Sequence, residues 1–228
     1  MNKRQNQFIH YLEHTIREFE FRLTEVIDLC DESLKCFNTS SPKTKDNTGS
    51  KINYAFSAFV GLLQTLKDVL PIVLDENVIW SDLDSVRHLQ FMKQCRNSIT
   101  HDGMPIINLW AEGKFYIACD FYRVNNQGKT ELVYAPEQDI ATICKEFSID
   151  FISLIKGLID NRLSLLNSCT PLYDKHFTGL AMNHPAIPDF ARKLHFSILD
   201  EEYPQVDSGL RKRLADSFEK IVVLCKKE

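Results

Sequence analysis

The chain lacks a Cys-x-x-Cys pair, zinc-ligand spacing, a glycine-rich phosphate loop and any Ser-His-Asp arrangement. These absences remove zinc-site, phosphate-loop and serine-triad chemistry from the readings its residues support. Its seven cysteines are odd in number and sit mostly in apolar runs, which reads as buried thiols in a reducing compartment rather than a disulfide framework. No stretch approaches the roughly 20 uncharged apolar residues of a membrane span. The opening MNKRQNQFIH has no apolar signal core. The expectation is a cytoplasmic protein with no membrane contact. An excess of positive charge is also missing. The formal net charge of −4 argues against non-specific nucleic-acid binding through an overall basic surface, and leaves room for a local basic groove.

What is present is ordinary globular material. With 228 residues, 44% hydrophobic and 25% charged, the chain can build one large domain, or one domain with an extension. Ile9, Leu12, Ile16, Phe19, Leu23, Val26, Cys30, Leu34 and Phe37 recur at spacings of three and four, which predicts one long helix. Asn38 to Gly49 is polar and rich in turn formers, and reads as a mobile loop. A second helix is predicted from Lys51 to Leu70, kinked or ended by Pro71, with Ile72 to Leu74 extending it after a bend. A third runs from Ser81, followed by Asp82 and Asp84 near the positive end of the dipole, to about Thr100, where Gly103 and Pro105 stop it.

The period then changes. Phe115, Ile117, Cys119 and Phe121 alternate with Tyr116, Ala118, Asp120 and Tyr122, which predicts one strand. Asn125 to Gly128 reads as a turn, Lys129 to Ala135 as the returning strand, and Ile106 to Trp110 as a third. Pro136 to Asn167 resumes the helical period, and further helices are predicted near Asp189 to Glu201 and Val206 to Lys227. There is no internal repeat.

The informative stretch is Arg96-Asn97-Ser98-Ile99-Thr100-His101, at the end of the third helix. On a helical wheel Leu89, Phe91, Met92, Cys95 and Ile99 form the apolar arc. Arg87, Gln90, Lys93, Gln94, Asn97 and His101 oppose it. From Ser85 to His101 there are three cations (Arg87, Lys93 and Arg96) and no acidic residue, a local reversal of sign that suits a polyanion. Asn97 and His101 are four apart and within reach of one another, so the amide is expected to hold the imidazole. His101 lies at the carbonyl end of its helix, where cationic groups are favoured. Arg96 falls about 140° from His101 on an ideal helix. It sits at the edge of the apolar arc and wants a partner from another helix or another subunit. With 10 arginines and 7 histidines, chance supplies about 0.3 copies of that spacing. Asparagine directly after the arginine lowers the expectation to about 0.02, so the asparagine gives the motif its weight.

Arg96-Asn97-x-x-x-His101 followed by Asp102-Gly103 resembles the signature of the HEPN superfamily. The order of two long helices, a polar loop and a shorter motif helix resembles it too. The resemblance covers roughly residues 8 to 168; the hairpin and the tail after Cys169 lie outside the basic pattern. It implies a mainly α fold: a HEPN-like four-helix bundle over 1–168, with a small antiparallel β insertion at about 105–135. A C-terminal helical extension, 169–228, would pack on the bundle. It further implies a metal-independent endoribonuclease with no cofactor, working as a homodimer through the motif helix, in a toxin or phage-defence setting. An antitoxin or defence-system protein would then be a partner. Arg96 would bind the scissile phosphate, His101 would act as general acid or base, and Asn97 would orient His101 or the phosphate. Arg87 and Lys93 would bind the RNA beside them. The alternative is a catalytically inactive HEPN-like module that binds a protein or nucleotide.

Other residues have blander readings. His10, His14 and Glu18 share a helix face, expected to be solvated rather than a metal site. Cys95 adjoins Arg96 but belongs to the apolar arc, and His88 reads as a packed histidine. Tyr116 and Tyr122 would stack bases or pack across strands.

Overall fold

The computed structural model describes residues 2–39, 48–125, 127–172, 175–197 and 206–226. Most of the predicted polar loop, one residue of the predicted turn and the end of the helix predicted to reach Glu201 lie outside them.

The first helix, α1 (Lys3–Asn38), begins where the Asn2 side chain accepts a hydrogen bond from the Gln5 N–H at 2.8 Å. Its predicted stripe from Ile9 to Cys30 is buried. The second, α2 (Thr48–Leu74), continues past Pro71 rather than ending there. Proline removes one ladder bond there, but Leu70, Val73 and Leu74 are buried on both sides of it and hold the last turn in the core. By length and composition, Gly49–Leu74 is apolar enough to cross a membrane, and half of its most apolar window is buried inside the fold.

Helix α4 (Ile140–Asp160) is capped by Asp139, whose Oδ1 accepts from the Thr142 N–H at 3.1 Å. The last helix, α8 (Leu210–Lys226), packs against α1 and α4 through Leu210, Leu214, Phe218 and Ile221. Phenylalanines knit the core. Phe19 meets Phe59 at 4.9 Å, Phe59 meets Phe147 at 6.4 Å, and Phe147 stacks on Phe151 at 5.1 Å between ring centroids. Offset and edge-on pairs of this kind add to burial. Three short helices, α5 (Leu163–Asn167), α6 (Lys175–Ala181) and α7 (Asp189–Ser197), lie between α4 and α8. The fold is mainly helical, with two small antiparallel hairpins.

The helix predicted over Pro136 to Asn167 is two, α4 and α5, and two further predicted elements differ near the site. The third helix does not start at Ser81. Trp80–Leu83 is a 3-10 turn, and α3 spans only Leu89–Asn97. The cause is α4, whose carboxylates capture the intervening residues. Asp150 accepts from the Arg87 backbone N–H at 3.3 Å and from its Nε at 2.6 Å. Glu146 holds His88 Nε2 at 2.7 Å. His88 turns left-handed at φ 60°, and the α-helical ladder begins after it.

The predicted strand Phe115 to Tyr122 is also broken. β1 (Leu109–Ala111) pairs with β2 (Lys114–Tyr116), and β3 (Phe121–Val124) pairs with β4 (Thr130–Val133), both antiparallel. Between them, side chains replace ladder partners. Asn108 Oδ1 accepts from the Ala118 N–H and Asp120 Oδ1 from the Ala135 N–H, each at 2.8 Å. The first hairpin sits on the end of α1, with Trp110 Nε1 donating to Ser33 Oγ at 2.9 Å. The second packs against the segment that follows α3.

Candidate functional site

Helix α3 buries Leu89, Met92 and Cys95, so its opposite face looks outward with Lys93, Arg96 and Asn97. Beyond Asn97 the ladder widens. Ser98–Asp102 is one turn of π-helix, closed by the Gly103 N–H donating to the Ser98 carbonyl five residues back. A continued α-helix would leave His101 about 140° from Arg96. The wider turn departs from that angle, and such turns recur at functional sites. Gly103 ends the turn at φ 66°, a conformation that glycine adopts without steric cost.

The result is an open cleft of about 500 Å³ that gathers Lys93, Arg96, Asn97 and His101 with Gln64 of α2 and Arg123, Asn125, Gln127 and Glu131 of the second hairpin. The structure thus brings the three motif side chains to one surface. Arg96 is half-buried, and its Nη1 donates to Asn97 Oδ1 at 3.0 Å. Asn97 therefore holds the guanidinium. No Asn97–His101 hydrogen bond forms among the described residues, because the π turn changes the four-residue spacing on which that expectation rests. His101 is exposed at the rim. Lys93 Nζ lies 5.1 Å over the Trp80 ring, a cation–π contact that steadies the ammonium.

Arg87 is elsewhere. It does not line this cleft, and its guanidinium is paired with Asp150 and with Glu146 at 3.1 Å. The Asp150 hydrogen bond holds the Arg87 guanidinium pKa above, and the carboxyl pKa below, its ordinary value.

Sequence reading missed five lining residues: Gln64, Arg123, Asn125, Gln127 and Glu131. One signal existed. Arg123 falls two residues after Phe121, in phase with the inward positions of its strand, and a charge there asks for an explanation. The register pairs Phe121 with Val133 and Arg123 with Glu131 on one face, so the apolar pair faces the core and the charged pair reaches the cleft. Arg123 Nη1 donates to Glu131 Oε2 at 2.9 Å and to Gln94 Oε1 at 3.1 Å. Asn125 Nδ2 donates to Glu131 Oε1 at 2.7 Å, the main reason the Glu131 carboxyl pKa lies below the usual carboxylate range. Three permanent cations, Lys93, Arg96 and Arg123, face a single carboxylate in the lining.

His10 is not solvated. It is buried, with Nε2 2.8 Å from the Thr170 carbonyl oxygen and 3.4 Å from Cys169 Sγ. Among the described residues no group of His, Cys, Asp or Glu is placed to hold a metal ion. Arg96 does not activate Cys95, whose thiol is buried and pushed well above its ordinary value. Tyr122 is exposed on the outer face of its hairpin, while Tyr116 is half-buried. Comparison with family models, curated proteins and solved structures returned no match.

Proposed function

We propose that the chain is a HEPN-like, metal-independent endoribonuclease acting in the cytoplasm, and that the cleft is its active site. The observation that carries this reading is the convergence of Arg96, Asn97 and His101 in one open, cation-rich cleft of a chain whose net charge is −4. The chemistry needs two functions. A guanidinium must neutralise a phosphodiester as charge develops on its equatorial oxygens. An imidazole must move a proton as the ribose 2′-hydroxyl attacks phosphorus and the 5′-oxygen leaves. Arg96, braced by Asn97, supplies the first, and His101, free at the rim, supplies the second. The products are a 2′,3′-cyclic phosphate and a 5′-hydroxyl. Lys93 adds positive charge beside the scissile bond. The single-copy cleft offers one imidazole, so the reading includes a homodimer through the motif segment that supplies the second acid–base group. A toxin or phage-defence role rests on the family resemblance alone.

The test is cleavage of mixed RNA in the presence of chelator. His101→Ala and Arg96→Ala should each lower the rate by about 100-fold or more, with unchanged folding because His101 is exposed and Arg96 half-buried. Wild-type and variant proteins with equal activity would remove the reading.

A second reading is a binding module without turnover. The outer face of the β3–β4 hairpin favours it, since Tyr122, Val124 and Leu132, with Tyr134 just beyond, are all exposed. Stoichiometric co-purification of a protein through that face, with no cleavage of any RNA, would select it.

A further inference from the structure

Arg123 is not needed for the chemistry above, and its environment is costly. The side chain is 5% exposed, and its Nε is shielded from solvent with no hydrogen-bond partner among the described residues. A buried guanidinium with an unmet donor is destabilising, and an aliphatic residue on the Phe121–Val133 face would pack better. Its ion-pair partner Glu131 is more exposed than it is, at 38% against 5%. The surrounding cleft wall is made of side-chain amides, Gln64, Asn125 and Gln127. Amides donate and accept at once, as base edges require.

We infer that the β3–β4 hairpin forms a second anion subsite centred on Arg123, which takes the phosphate next to the scissile one in a single-stranded polynucleotide, with Gln64, Asn125 and Gln127 contacting the intervening nucleotide. Glu131 and Gln94 both accept from Nη1, and Glu131 yields it when phosphate arrives. The proposal rests on the nucleic-acid reading of the cleft but not on catalysis. Binding at the subsite needs neither His101 nor turnover.

The experiment uses a fluorescent 2′-O-methyl oligonucleotide, which cannot be cleaved through its 2′ position, and measures affinity against salt for the full chain. Inorganic pyrophosphate and orthophosphate serve as short probes. Wild type should bind pyrophosphate more tightly than orthophosphate. Arg123→Gln should weaken oligonucleotide binding about tenfold or more and flatten the log-affinity against log-salt slope by about 0.7. Because Arg123 is buried, circular dichroism must show that the variant is folded. Glu131→Gln, at an exposed partner, provides an independent arm. Loss of its competing charge should tighten binding by roughly two- to fivefold.

Wild-type affinity and slope in both variants, while Arg96→Ala still loses affinity, would overturn the subsite and leave the nuclease reading standing. Loss of affinity in Arg123→Gln with no metal-free RNA cleavage by wild type would do the reverse. No binding of any probe by the wild type would overturn the subsite.

Discussion

Gly103 offers a sign test of the site's geometry. It closes the π turn at φ 66° and ψ 20°, and a Cβ built there meets nothing within 4 Å. Replacement by alanine therefore tests backbone conformation and nothing else. An L-residue held left-handed costs about 1–2 kcal/mol, partly offset by roughly 0.4–1 kcal/mol of lost unfolded-state freedom. Gly103→Ala should therefore destabilise the chain by about 1 kcal/mol, which is about 2–4 °C in Tm for a domain of this size. Gly157 gives the opposite sign. It lies exposed inside α4, again with nothing within 4 Å of a new Cβ, and no positive φ. Gly157→Ala should stabilise by about 0.5–1 kcal/mol through helix propensity. Thermal and urea unfolding followed by circular dichroism read both. The site makes a further demand. Forcing residue 103 out of the left-handed region loosens the turn that carries His101. RNA cleavage by Gly103→Ala should then fall at temperatures where the protein is fully folded, and Gly103→Asn, whose side chain tolerates this conformation, should recover part of it. A Gly103→Ala protein as stable as wild type, or the same sign of change at both glycines, would refute the argument for the π turn.

Two predictions concern the scaffold. Phe147→Ala removes a fully buried ring in contact with Phe59 and Phe151, and should cost about 3–5 kcal/mol in urea unfolding; a loss below about 1 kcal/mol would place the centre of the core elsewhere. Asp207 lies just ahead of α8 and accepts from Arg213 Nη2 of that helix at 2.7 Å, and that hydrogen bond is the main cause holding its carboxyl below the ordinary 3.8. A depressed carboxylate stabilises the fold above its unfolded-state pKa and loses that contribution as pH falls through the folded value. Stability measured at decreasing pH should thus decline below about 3.8, and less steeply in Asp207→Asn. Identical acid profiles for the two proteins would show that this pair does not stabilise the start of α8.

The long helices were legible because their spacing is physically sufficient. Ile9 to Cys30 and Ile52 to Leu70 repeat at the α-helical period, and only burial of those stripes satisfies them. The broken elements were not legible, because distant residues cause the breaks. Nothing local in Arg87 or His88 announces that Glu146 and Asp150, some sixty residues later, will stop a helix from forming. The same holds for the strand interrupted at Ile117, where Asn108 and Asp120 act across the chain.

The sequence by itself determined the chemical inventory of the candidate site. Arginine, asparagine and histidine stand within six residues, at the end of an amphipathic segment, in an otherwise acidic chain. Only the tertiary structure decided how that inventory is arranged. Arg96 and His101 come to line one cleft across the π turn, α4 withdraws Arg87, and the predicted hairpin, folded back beside the motif segment, adds Arg123 and Glu131. The physical reason is range. Periodicity and capping act over a few residues and are written in neighbours, whereas ion pairs and packing between elements depend on partners that only the folded chain brings together.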